Sequence, residues 1–216
     1  MTIYDDNLSH YIAELFAGQD EVLRRAIEES PEKGLPAISI QPEEGRFLQF
    51  LARACGAKKA LEIGTLGGYS GIWIARGLAP GGKLITLEKS SKHAAVAAEH
   101  FTLAGVADRV EIRLGDAHQL LGKLKGEGPF DFVFIDAEKT SYDFYFNWAL
   151  DNVRIGGIIA AHNAFRNGEV AGEAAEAASP ETAAIRALNR RVAAEPRVVS
   201  TIYPAGDGTL IAVKVA

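Results

Sequence analysis

Four carboxylates stand where short apolar runs end: Glu62, Glu88, Asp116 and Asp136. A glycine-rich turn, Gly64-Thr65-Leu66-Gly67-Gly68, follows the first of these runs, and Tyr69-Ser70 opens a helical stretch. An apolar strand, a tight glycine turn and a helix make a nucleotide-type ligand site, because the turn lets backbone N–H groups approach the ligand. Four acidic groups on one rim make a poor phosphate site, since like charges repel in a low-dielectric cleft. They suit a nucleoside that carries a positive centre. In that reading Glu62 lies under the ligand, Glu88 accepts hydrogen bonds from two ribose hydroxyls, and Asp116-Ala117-His118 borders the base. A nicotinamide dinucleotide requires glycines at i, i+2 and i+5. Counted from Gly64 those positions hold Leu66 and Tyr69, so that fingerprint fails.

The elements that must position these groups follow from the hydrophobic rhythm. Residues 4–30 read as helical with a break near Gly18, 30–36 as a turn-rich loop, and Pro42–Cys55 as a helix with an apolar face of Phe47, Leu48, Phe50, Leu51 and Ala54. Strands at 59–63, 83–88, 110–114, 131–136 and 157–161 then alternate with helices at 69–78, 90–104, 116–124 and 141–152. This alternation predicts a parallel sheet with right-handed crossovers. A last helix at 180–194 leads into strands 197–203 and 209–215, joined by Pro204-Ala-Gly-Asp-Gly208 as a hairpin. The expected fold is α/β and Rossmann-like. It has a seven-stranded, mostly parallel sheet with one antiparallel strand from the C-terminal hairpin, and helices on both faces. Open parallel sheets bind ligands at the carboxyl ends of their strands, where the four carboxylates fall.

The 216 residues, 48% hydrophobic, suffice for one domain with a sizeable core. The formal net charge of −5 argues against a nucleic-acid partner or a basic membrane-surface protein. No apolar run approaches the ~20 residues of a membrane span. The N-terminus carries Asp5, Asp6 and Glu14 rather than a signal-peptide pattern, and Cys55 stands alone as a small packed hydrophobe. A cytoplasmic location is expected.

The chain resembles class I S-adenosylmethionine-dependent O-methyltransferases, within them the catechol and caffeoyl-CoA group and its small bacterial members. The resemblance rests on Ile40-Gln-Pro-Glu-Glu-Gly45, Leu61–Ser70, Leu87-Glu88, Gly115-Asp-Ala117, Phe134-Ile-Asp-Ala-Glu-Lys139 with Tyr142, and His162-Asn163. It implies that Ile40, Glu62, Gly64 and Ser70 hold the methionine moiety of the cofactor, with Thr65, Gly68 and Tyr69 in the same loop. Glu88 then holds the ribose, Asp116, Ala117 and His118 border the adenine, and Asp136 touches the cofactor as well. Residues 1–216 form one methyltransferase domain, in which the N-terminal helical segment 1–36 covers the acceptor site. The acceptor is a small aromatic hydroxyl compound, and the working unit is a homodimer.

In that family a divalent cation holds both oxygens of a vicinal diol and acidifies the attacking hydroxyl. Its ligands are an Asp after the fourth strand and an Asp-Asn pair after the fifth, and a lysine three residues beyond the first Asp is the general base. The resemblance places Asp136, His162 and Asn163 as the metal set, and Asp136, Lys139 and His162 as the catalytic set. The family's second Asp is thus a histidine here. Two carboxylates and an amide suit Mg²⁺, whereas an imidazole shifts preference toward Zn²⁺, Mn²⁺, Fe²⁺ or Co²⁺. Three readings remain open: a metal site with altered preference, a metal-free enzyme with His162 or Lys139 as base, or a nucleoside-binding protein without turnover. Tyr142, Tyr145 and Trp148 read as core, and His93 and His100 as surface residues. His10 and Tyr11 lie in the segment that closes over the acceptor. Phe165, Arg166 and 167–170 are expected to line the acceptor pocket, with Arg166 hinting at an acidic group on the acceptor.

Overall fold

A computed structural model describes residues 4–171 and 179–216. The first three residues of the N-terminal segment therefore lie outside the described part. Helices α1 (Asp6–Phe16), α2 (Glu21–Glu32) and α3 (Pro42–Ala54) precede the alternating region. There β1 (Lys59–Ile63), β2 (Lys83–Glu88), β3 (Val110–Leu114), β4 (Phe130–Ile135) and β5 (Val153–His162) are separated by α4 (Tyr69–Gly77), α5 (Ser91–Leu103), α6 (Ala117–Lys123) and α7 (Tyr142–Asn152). Helix α8 (Pro180–Ala193) and strands β6 (Val198–Tyr203) and β7 (Thr209–Lys214) complete the chain.

The sheet has seven strands in the order β3-β2-β1-β4-β5-β7-β6. All pairings are parallel except those of β7, which runs antiparallel to both β5 and β6. This is the expected architecture. The central strands are apolar on both faces, as Phe130–Ile135 illustrates, because helices cover both sides. One face packs Tyr145, Phe146, Trp148 and Leu188 from α7 and α8. The other packs Leu48, Trp73 and Phe101 from α3, α4 and α5. Strand order reverses between β1 and β4, opening a crevice at their carboxyl ends. The ladder extends one residue past the strands there, since Asp136 N–H donates to Ile63 O at 2.9 Å and Gly64 N–H to Leu87 O at 3.0 Å.

Two boundaries differ from expectation. Helix α2 continues through Pro31 to Glu32 rather than ending in a loop at Ser30, because a proline in the last turn removes only one hydrogen-bond donor. Strand β5 begins at Val153, which pairs with Phe130, although Gly156-Gly157 interrupts its apolar run. The ladder shifts register between Phe130 and Phe132, and this irregularity absorbs the glycines. Among the described residues no helix is long and apolar enough to cross a membrane.

Candidate active site

A cleft of about 510 Å³ occupies the crevice, within the range of small-molecule sites. Its floor is the turn after β1. Gly64 has φ +101°, and a Cβ there would lie 2.2 Å from Asp136 O, so only glycine lets the two strand ends approach. Gly68, at φ +83°, caps the start of α4.

Glu88 is the best-organised carboxylate on the rim. It accepts the Thr65 and Leu66 N–H groups on Oε2 at 3.2 and 2.9 Å, and the Ser90 N–H on Oε1 at 2.9 Å. Asp116 caps α6 through the Gln119 N–H at 3.2 Å, and with Ala117 it lines the cleft. Ile40, Gly64, Thr65, Tyr69 and Ser70 line it as well. Glu62 does not. It is fully buried beneath Ser70, whose hydroxyl donates to Oε1 at 2.5 Å, while Thr86 donates to Oε2 at 2.7 Å. Burial dominates its environment and raises its pKa to about 7, although the two hydroxyls favour the ionised form. Gly68 also stays out of the lining, and His118 turns away from it. The His118 ring stacks on Phe144 at 4.4 Å and its Nε2 lies 2.9 Å from Ser141 Oγ, so the expected adenine contact is not formed by this side chain.

At the β4–β5 end the charges form a chain. Lys139 Nζ donates to Asp136 Oδ1 and to Tyr142 OH, both at 2.8 Å. His162 Nδ1 faces Asp136 Oδ2 at 3.4 Å, and its Nε2 faces Glu44 Oε1 at 2.9 Å. Burial opposes the charge on His162, but Asp136 and Glu44 outweigh it and hold the pKa up at about 10. Burial likewise opposes ionisation of Asp136, yet His162 and Lys139 keep its carboxyl well below the usual range. Tyr142, buried beside Asp136, stays a neutral phenol well above the ordinary pKa.

This chemistry does not fit a metal centre. With a carboxylate facing each ring nitrogen, His162 is favoured as the imidazolium, a form that has no lone pair for a cation. Asn163, at φ 57°, turns its Nδ2 to Asp207 Oδ2 at 2.8 Å. Among the described residues no group of three or more His, Cys, Asp or Glu side chains is arranged to hold a metal ion.

Other expectations separate in the same way. Tyr142, Tyr145 and Trp148 are core residues, and Tyr142 also reaches the site through its hydroxyl. Of 165–170 only Arg166 lines the cleft; of the described residues of the N-terminal segment only Pro36 does, followed by Ile38, Ser39 and Ile40. His93 is half-buried and lines the cleft. His100 is not a surface residue: it is 0% exposed, with Nδ1 2.7 Å from Gly67 O. A histidine seven residues from another on a helix carries no sequence mark of that contact. Glu44 was equally invisible as a site residue; only its helix-capping position, three after Gln41, is readable.

The O-methyltransferase family model matches residues 13–215. The chain belongs to the O-methyltransferase family. A catechol O-methyltransferase from Niastella koreensis is 45% identical over 199 residues, covering 91% of this chain and 89% of that protein. Another from Mycobacterium tuberculosis is 44% identical over 167 residues, covering 77% and 76%. Among solved structures, an O-methyltransferase from Bacillus cereus in complex with SAH superposes with a TM-score of 0.88 at 39% identity, covering 96% of this chain and 97% of that one. The likeness spans the sheet and the segments that line the cleft.

Proposed function

We propose that the chain transfers the methyl group of S-adenosylmethionine to a hydroxyl of a small catechol-like aromatic acceptor, without a metal ion. The observation that carries this reading is the cleft at the strand-order reversal, ending at the Asp136–Lys139 pair. Its nucleoside end has Glu88 and the Gly64–Ser70 turn, which suit a ribose and a cationic methionine moiety. S-adenosylhomocysteine bound to the Bacillus cereus relative supports the cofactor, and the names of the Niastella and Mycobacterium relatives support a catechol-type acceptor. Ile38, 67% exposed on the cleft wall, offers an apolar surface for an aromatic ring.

The phenolic oxygen bonds to the methyl carbon as the carbon–sulfur bond breaks, giving an aryl methyl ether and S-adenosylhomocysteine. The protein contributes alignment and charge. Lys139, on the cleft wall beside Asp136, is the acceptor of the phenolic proton in this reading. His162 is not the base, because Asp136 and Glu44 favour its protonated form; its charge steadies Asp136 and, through it, the position of Lys139. Tyr11, Leu15 and Phe16 leave apolar groups exposed on α1, which fits the homodimer that the resemblance implies.

The test is calorimetry with S-adenosylhomocysteine, followed by methyl transfer to catechols with and without EDTA. Binding with EDTA-insensitive turnover is expected. Activity lost to EDTA and restored by one ion would overturn the metal-free reading. Binding without turnover across a catechol panel would leave a nucleoside-binding protein, and no binding would remove the proposal entirely.

A further inference from the structure

Arg166 is a cation at this end of the cleft that has no partner among the described residues. Lys139 and His162 are each held by carboxylates. Arg166 lines the same cleft, yet its Nε is buried without a hydrogen bond, and no ion pair to it forms among the described residues. Leaving a buried charged donor unsatisfied is destabilising.

The backbone holds it there deliberately. Asn163, Arg166 and Asn167 all adopt left-handed φ values, 57°, 49° and 53°, which are unfavourable for residues with a side chain. The β6–β7 turn fixes them. Asp207 accepts the Asn163 side chain at 2.8 Å and the Asn167 N–H at 2.5 Å, and its carbonyl accepts the Phe165 N–H at 2.9 Å. A strained, anchored turn that presents an unpaired guanidinium to a cavity is built for an anion.

The charge of Arg166 reaches the reacting end of the cleft. Arg166 lines one cleft with Asp136, Lys139 and Asn163, and Tyr142 OH lies 2.8 Å from Lys139 Nζ at that end. The turn that bears Arg166 follows β5, two strands from the Gly64–Ser70 loop after β1, or about 10 Å across the sheet. That separation favours the acceptor over the methionine end of the cofactor as its partner.

We propose that Arg166 binds a carboxylate on the acceptor, so that the substrates are phenolic acids, with the hydroxyl at Asp136–Lys139 and the acid group on the guanidinium. The planar fork of arginine matches a carboxylate through two parallel hydrogen bonds. This assignment rests on the methyl-transfer reading above, and its test separates the two.

Calorimetry of the protein saturated with S-adenosylhomocysteine would compare caffeate with 4-methylcatechol, a similar ring without the acid. Caffeate is expected to bind about 10- to 100-fold more tightly. Arg166→Gln should erase that preference and leave 4-methylcatechol and S-adenosylhomocysteine affinities unchanged, which also reports that the variant is folded. Arg166→Lys should retain part of the preference. Equal affinities in the wild type, or an equal loss for both catechols in Arg166→Gln, would overturn the assignment. Weakened S-adenosylhomocysteine binding in the variant would overturn it in favour of the cofactor's carboxylate. Should the protein bind no S-adenosylhomocysteine, the methyl-transfer reading falls. Caffeate titrated into the cofactor-free wild type and Arg166→Gln still decides the carboxylate site, with equal affinities overturning it.

Discussion

His162 Nε2 lies 2.9 Å from Glu44 Oε1, a residue 118 positions earlier in the chain. The other oxygen of Glu44 accepts the Gln41 N–H at 2.9 Å, so one buried carboxylate both caps α3 and holds the ring at the end of β5. The helix start, the strand end and the charge of Asp136 are thereby tied into one unit.

The first prediction concerns that tie. A histidine whose folded pKa is raised to about 10 adds stability that is complete below its unfolded value near 6.5 and disappears as pH rises through about 10. Glu44→Gln removes one of the two carboxylates responsible. The variant should lose about 3 kcal/mol near pH 6, as expected for breaking a buried pair from one side. The gap to wild type should narrow steadily toward pH 10. Urea denaturation across this range would check it, and a gap that does not change with pH would show that the His162 charge is not its source.

His162→Asp tests the metal question from the opposite side. The substitution removes the cation between Glu44 and Asp136 and places a third carboxylate beside them. Three like charges in a buried cluster repel, and a divalent ion is the natural remedy. The variant should therefore melt below the wild type, and millimolar Mg²⁺ or Mn²⁺ should raise its melting temperature while leaving that of the wild type unchanged. An equal rise in the wild type would mean that the native centre binds the ion.

The fold was legible because its signals are local. Phe130–Ile135 reads as a doubly buried strand, and Gly64–Gly68 as a tight turn, without knowledge of the rest of the chain. The cleft residues were legible for a related reason, since a parallel sheet places whatever ends each strand on one edge. Glu44 and His162, or His100 and Gly67, are different. Each pair is made by packing between elements distant in sequence, and neither member carries a local mark of its partner. The sequence shows that His162 stands where a carboxylate is expected, but only the neighbouring Glu44 and Asp136 show that the ring is favoured as a cation rather than as a ligand.

Glu62 yields a prediction about proton release. Its pKa of about 7 lies above the ordinary 4.5 because the carboxyl is buried, so the folded protein without cofactor loses stability as pH rises between those values. If the cationic methionine moiety settles over Ser70 and Glu62, it favours the ionised carboxylate. Binding of S-adenosylhomocysteine should then release a proton below pH 7, and affinity should rise with pH, at most about tenfold per unit, before levelling above 7. Calorimetry in two buffers of different ionisation enthalpy reads the proton directly. Glu62→Gln should abolish both the release and this part of the pH dependence; release that persists in the variant would assign it to another group.

His100 acts on the cofactor through the glycine turn. Its Nδ1 donates to Gly67 O at 2.7 Å from the α5 side, while a Cβ on Gly67 would lie 2.3 Å from Ser30 Oγ on the α2 side. The turn is clamped between two helices, and the histidine supplies the hydrogen bond that fixes its carbonyl. His100→Ala leaves that buried carbonyl without a partner, at a cost of about 1–3 kcal/mol. Part of the cost falls on folding and part on the shape of the turn, and cofactor affinity separates the two. The KM for S-adenosylmethionine should rise about tenfold in His100→Ala, with kcat at saturating cofactor changed by less than about threefold, because no reacting atom touches the ring. His100→Asn keeps an N–H donor on a shorter arm and should recover part of the affinity. A purely structural role would lower the melting temperature of both variants and leave the KM unmoved.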